Sequence, residues 1–152
     1  MRWVEYFRNL AHNVKLKSKD EKTQIGAIIV GEDKEIVSTG YNSFPRGLDD
    51  SIKLRQERPE KYYWFEHGER NAIYNAARIG VSTKGCTMYL SCGIPCVDCA
   101  RGIINSGITR IFCERGVTTK GDHWEENYNR SWDMLDEAKI DVQFYDDEYG
   151  GI

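Results

Sequence analysis

Two short motifs, His67-Gly68-Glu69 and Pro95-Cys96-Val97-Asp98-Cys99, each head a stretch with helical periodicity, so the fold has to account for both helix starts. Residues 66–79 place Ala72, Ile73, Ala76, Ala77 and Ile79 at helical spacing, and Gly80 follows as a C-cap. Residues 96–105 form the second such stretch, ended near Gly107. Trp3, Val4, Tyr6, Phe7, Leu10, Ala11 and Val14 predict a first helix to about residue 16, and residues 124–138 a last one. β-Branched and apolar runs at 25–30, 35–41, 86–91, 108–113 and 140–145 read as strands. Gly31-Glu32-Asp33-Lys34 joins the first two runs as an antiparallel hairpin. The order α-β-β-α-β-α-β-α-β then predicts an α/β fold with a mixed sheet, its later strands parallel and joined by helical crossovers. Helix N-termini in such sheets gather at one edge, which brings His67 to Cys96 and Cys99.

Residues 42–64 hold two prolines, Gly47 and many charges, and read as a long loop with a helical turn. A loop of that length in a small protein is usually functional. At 152 residues the chain reads as one domain, 1–152, with no linker or repeat. Its apolar share of 40% and charged share of 30% are those of a globular protein. The longest apolar run, 27–30, is far too short for a membrane span, and the amphipathic start lacks a signal core. A cytoplasmic address is the expectation. Five cysteines are an odd number and too sparse for a disulfide scaffold, so reduced thiols are expected. Lys plus Arg number 21 against 24 for Asp plus Glu, a net charge of -3. That balance argues against long nucleic acid as a partner and leaves room for a small anionic ligand.

Cys96 and Cys99 lie three apart on the first turn of a helix, so both sulfurs can face one point. The helix dipole favours thiolate there, and Pro95 fixes the approach without losing an amide donor. His67 supplies a third donor. Three protein ligands leave one position of a tetrahedral zinc site for water. Glu69, two residues past the imidazole, is placed to take a proton from that water and pass it to a leaving group. Each piece alone has a plain reading: C-x-x-C as a structural half-site or redox pair, a helical His as core, a helical Glu as solvated surface. In this order, on these helix starts, a catalytic zinc site with Glu69 as acid–base group accounts for all of them.

The pattern H-x-E with P-C-x-x-C is the signature of zinc-dependent nucleobase deaminases, and the chain resembles the deoxycytidylate (dCMP) deaminases of the cytidine deaminase superfamily. The likeness extends to Ser18-Lys19-Asp20, to 23–27, and to Thr39-Gly40-Tyr41-Asn42-Ser43-Phe44-Pro45-Arg46-Gly47, similar to a G-Y-N-G-x-P-x-G loop. It continues through 67–73, 85–89 and 100–108, covering about residues 18 to 113, with a looser fit beyond. The resemblance implies a three-layer α/β/α sandwich, a bound Zn2+, and hydrolytic conversion of dCMP to dUMP and ammonia. It further implies that Asn42 contacts the nucleotide, that the protein is a homo-oligomer, often a hexamer, and that dCTP and dTTP act as effectors near residues 41–47. Three departures stand out: Ser43 where glycine is common, unsuited to a positive φ; Gly68 where alanine is common; and residues 90–94, one longer than usual, with Gly93 expected to mark a bulge that reshapes the pocket.

A nucleotide phosphate needs cations. Arg46 and Arg70 are the expected contacts, with Arg55, Arg58 and Lys61 nearby in sequence. Residues 62–65 offer aromatic rings, His123 and Trp124 are candidates for a late pocket loop, and His12 reads as helix surface. The alternatives are a deaminase of another aminated base (dCTP, a nucleoside, guanine or tRNA adenosine) and a non-catalytic, zinc-stabilised interaction module.

Overall fold

Strand β1 (Gly26–Val30) is buried at every position, and its side chains alternate between two cores. Ala27 and Ile29 pack with Ala72, Met88, Leu90, Ile103, Ile111 and Leu135. Ile28 and Val30 pack on the other face with Val4, Phe7, Ala11, Tyr89 and Phe112. A strand covered on both sides has no polar face, which is why residues 25–30 read as a continuous apolar run.

The computed structural model describes residues 1–116 and 122–147. Helix α1 (Trp3–Val14) covers one face of the sheet. After β1 and β2 (Ile36–Tyr41) come the short α2 (Lys61–Trp64) and α3 (Gly68–Ile79), then β3 (Thr87–Leu90), α4 (Val97–Asn105), β4 (Arg110–Cys113), α5 (Asp122–Glu137) and β5 (Asp141–Phe144). Residues of α3, α4 and α5 fill the opposite face, which completes the three-layer α/β/α sandwich. The sheet order is β2-β1-β3-β4-β5. β1 pairs antiparallel with β2 and β3, while β3–β4 and β4–β5 are parallel. The expected mixed five-stranded sheet and its hairpin are both present.

Local differences from the sequence reading have physical reasons. The third helix begins at Gly68, since His67 is extended at φ -74°, ψ 148°. The sheet's register shift falls between Ile29 and Val30, not at Gly93. Ser43 is not among the non-glycine residues with positive φ, which are Lys34 and Lys139 among the described residues. It exchanges backbone hydrogen bonds with Glu66 of 3.1 and 2.8 Å, a pairing any residue tolerates. Trp124 lies in α5, not in a loop, and the side chain of His123 is outside the described residues.

Glycines let α3 ride directly on the strands. A Cβ on Gly40 would lie 2.2 Å from the Ala72 nitrogen and 2.5 Å from the Gly68 carbonyl oxygen, and one on Gly68 2.9 Å from the Ile25 oxygen. The Ser38 hydroxyl donates to the Ala72 carbonyl at 2.7 Å, and the Asn71 amide to the Tyr41 carbonyl at 2.8 Å. The start of α3 is therefore held against the ends of β1 and β2. No helix among the described residues is long and apolar enough to cross a membrane.

Candidate active site

The two motif helices start side by side: His67 is the N-cap of α3 and Cys96 the N-cap of α4. The His67 Nδ1 lies 3.5 Å from the Cys96 Sγ and 3.4 Å from the Cys99 Sγ. Tetrahedral zinc with Zn–S near 2.3 Å and Zn–N near 2.05 Å would set an N···S separation of about 3.6 Å. The three donors, all within 4.8 Å of one another, form the one such His/Cys/Asp/Glu grouping among the described residues. Their arrangement fits the ion.

Electrostatics point the same way. A hydrogen bond from the Cys99 thiol, followed by one from His67, lowers the Cys96 thiol to about 4 despite burial. The same contact, together with burial, pushes Cys99 well above the ordinary thiol range. His67 is raised, first by its bond to Cys96 and then, against burial, by the Glu69 charge. One thiolate, one thiol and an imidazole that favours its cation hold protons where a divalent ion can displace them.

Glu69 stands on the first turn of α3 and is 3% exposed. Its Oε1 makes no hydrogen bond, and burial raises its carboxyl above the ordinary range. An orphan buried carboxylate oxygen of this kind calls for an explanation, commonly a catalytic role or a bound partner. Glu69 lines a cavity of about 610 Å³ together with His67 and Cys96. That volume suits a small organic ligand.

Asn42 also lines the cavity. Its Oδ1 accepts from the Ile25 amide at 2.8 Å, and its Nδ2 donates to the Thr23 carbonyl at 2.7 Å. The side chain thus braces the 20–25 segment as well as facing the pocket. Arg46 and Arg70 do not line this cavity, contrary to expectation. Arg70 turns toward Glu66 at 2.6 Å and Asp98 at 3.7 Å, tying α3 to α4. Successive helix residues differ by about 100°, so with Glu69 facing inward its neighbour faces away. The Glu66/Arg70 spacing of i, i+4 was a readable sign of that pairing. Arg46 belongs to a second cleft, with Lys17, Lys19 and Arg78.

Of the other cations considered, Arg58 and Lys61 do line the cavity, as do the rings of Tyr62, Phe65 and Trp124. Lys61 is committed to Asp20 at 2.7 Å. Sequence reasoning missed His12, Lys15, Glu114 and Tyr128, all cavity residues. His12 lies 2.8 Å from the Glu114 carboxylate, which also accepts two hydrogen bonds from Arg8. Only the packing of α1 across the sheet brings residues this distant in sequence to the pocket.

A buried acid beside a convergent imidazole and two thiols, at the floor of a ligand-sized cavity, defines the class of zinc hydrolases. The chain belongs to the cytidine and deoxycytidylate deaminases: residues 1–115 match the sequence model of that family's zinc-binding region. The cofactor is accordingly Zn2+. An uncharacterized deaminase in the luxG 3' region of Aliivibrio fischeri is 36% identical over 141 residues, spanning 93% of this chain and 92% of that protein. Human deoxycytidylate deaminase is 37% identical over 117 residues, 74% of this chain but only 64% of the human protein. The chain thus spans under two thirds of the human relative. The crystal structure of a cyanophage S-TIM5 dCMP deaminase in complex with dCMP and dUMP shares the fold, with a TM-score of 0.72 at 20% identity over 92% of this chain and 94% of that one.

Proposed function

We propose that the chain is a single catalytic domain, 1–152, that hydrolyses dCMP to dUMP and ammonia. The carrying observation is the Glu69 Oε1, buried without a hydrogen bond in the cavity that also holds His67 and Cys96. Relatives named deoxycytidylate deaminase, 36–38% identical, support the choice of substrate.

His67 Nδ1, Cys96 Sγ and Cys99 Sγ would hold the zinc, which would supply Lewis acidity able to bring the pKa of water from 15.7 to about 7. Glu69 takes one proton from the attacking water and delivers it to N3 of the cytosine. As the C4–N bond breaks, Glu69 relays the second water proton to the departing amine, and the oxygen stays on C4. Every hydrogen of water and amino group is then accounted for in the uracil N3–H and in ammonia. In the zinc-free protein burial raises the Glu69 carboxyl, the direction that favours a group able to return a proton as well as accept one. Phe65 and Trp124 give the base apolar walls. Lys15 and Arg58 serve the 5'-phosphate in place of Arg46 and Arg70.

The same reading makes the enzyme a cytoplasmic homo-oligomer, in a family whose members are often hexamers. Five free cysteines support a reducing compartment, and exposed Tyr74 and Ile79 of α3, with Val81 just beyond it, support a subunit contact on that side. The second cleft, about 460 Å³ and lined by Lys17, Lys19, Arg46 and Arg78, is where dCTP or dTTP would act. The test is ammonia release by zinc-loaded protein offered dCMP, deoxycytidine, dCTP, guanine and adenosine. dCMP is expected to have the highest kcat/KM. Faster turnover of another base would reassign the substrate, and no ammonia from any of them would refute a deaminase.

A further inference from the structure

The family match ends at residue 115, yet α5 reaches back to the turn that carries Cys96 and Cys99. The Val97 amide donates to the Asn127 Oδ1 at 3.1 Å. The Ser131 hydroxyl, on a residue with no solvent exposure, donates to the Pro95 carbonyl at 2.6 Å. Asn127 and Ser131 are four apart, so they share one stripe of α5 and grip the residues on either side of Cys96. The neighbouring stripe carries Trp124 and Tyr128, which line the substrate cavity.

The donors explain why the turn needs a grip. Val97 is the first residue of α4, and its N–H is one of the four that a helix start leaves without an intrahelical partner. The Cys96 sulfur already accepts from the Cys99 amide at 3.5 Å, so it does not serve Val97. Pro95 has no N–H of its own, and its carbonyl is the group through which the peptide before Cys96 can be oriented. Without Asn127 and Ser131 the Cys96 peptide could rotate and carry its sulfur off the point where it meets His67.

We infer that Asn127 and Ser131 are positioning residues for the metal centre, forming a latch by which α5 sets the Cys96 sulfur and with it the lifetime of bound zinc. This rests on the zinc-site reading above. Partners that orient metal ligands typically account for 10- to 100-fold in metal affinity. The test follows zinc transfer from loaded protein to a chromogenic chelator, beside the melting temperature of the zinc-free protein. Asn127→Leu and Ser131→Ala are each expected to release zinc at least tenfold faster than wild type. Asn127→Asp, which keeps an acceptor oxygen, should restore slow release. Asn127 is only half-buried, so its leucine variant is expected to fold, with a zinc-free melting temperature within a few degrees of wild type. Wild-type release rates in Asn127→Leu from a wild type that holds zinc would overturn the latch alone. A zinc-free melting temperature that falls while release is unchanged would do the same. A purified wild type that takes up no zinc would overturn the site reading and the latch together.

Discussion

Replacing Glu69 by Gln should remove catalysis and stabilise the protein at once. Glu69 is 3% exposed, and its Oε1 has no hydrogen bond. A buried unsatisfied polar group costs about 1–3 kcal/mol, and an ionised one more. In the zinc-free protein, unfolded Glu69 loses its proton near its ordinary value of 4.5, while the folded state, raised by burial, holds the proton to higher pH. Below 4.5 the two states bind it equally, and this group adds no pH dependence. As pH climbs from there through the folded value, wild type loses about 1.36 kcal/mol per pH unit relative to Glu69→Gln, and above it the gap stays level. At roughly 2–4 °C per kcal/mol for a chain this size, the variant should melt about 2–12 °C higher at pH 8 and converge with wild type near pH 4. Zinc content should be unchanged, while kcat for dCMP should fall about 10²–10⁴-fold, the usual worth of a positioned acid–base group. The assays are thermal melts from pH 4 to 9 after chelation, elemental zinc, and ammonia release. Parallel melting curves across that range would refute the buried-charge argument, and turnover within threefold of wild type would refute the catalytic role.

Gly40→Ala drives a Cβ to 2.2 Å from the Ala72 backbone nitrogen; it should cost about 3 kcal/mol or more, seen as a lower urea midpoint at constant m-value, and a loss under 1 kcal/mol would contradict the close packing of α3 on β2. Glu114 is partly buried, which alone would raise its carboxyl, yet hydrogen bonds from Arg8 and His12 outweigh this and hold it below the usual 4.5. Its contribution is therefore complete above 4.5 and lost as pH falls through the depressed folded value. Glu114→Gln should flatten that acid limb in melts between pH 2 and 6, and an unaltered limb would count against the pairing. Lys15→Ala should raise the KM for dCMP about tenfold, the worth of one charge-assisted hydrogen bond, whereas Arg46→Ala should leave it within twofold; the reverse ranking would return the phosphate to residues 41–47.

The architecture was readable because its signals are local. The turn at 31–34, the doubly buried run in β1 and the two motif-led helices each carry their own periodicity, and crossover rules then order the parallel strands. The convergence of His67, Cys96 and Cys99, with Glu69 lining the same cavity, was legible for the same reason, since spacing on a helix start defines direction. Arg46 and Arg70 were chosen by nearness in sequence, which does not specify the side of the helix or loop that a residue faces. His12, Glu114, Asn127 and Ser131 were missed because their roles arise where α1, β4 and α5 meet other elements. No motif marks such meetings; each of these residues alone looks like helix surface or strand end.

His67 and Cys96 are 29 positions apart, and β3 must slot beside β1 before they can meet. No short fragment of the chain therefore holds all three donors in place, so the ion binds the assembled sheet and not the unfolded chain, and its binding is linked to folding. Supply of the ion would then govern when an assembled molecule becomes competent, and would also raise the share of molecules that stay assembled.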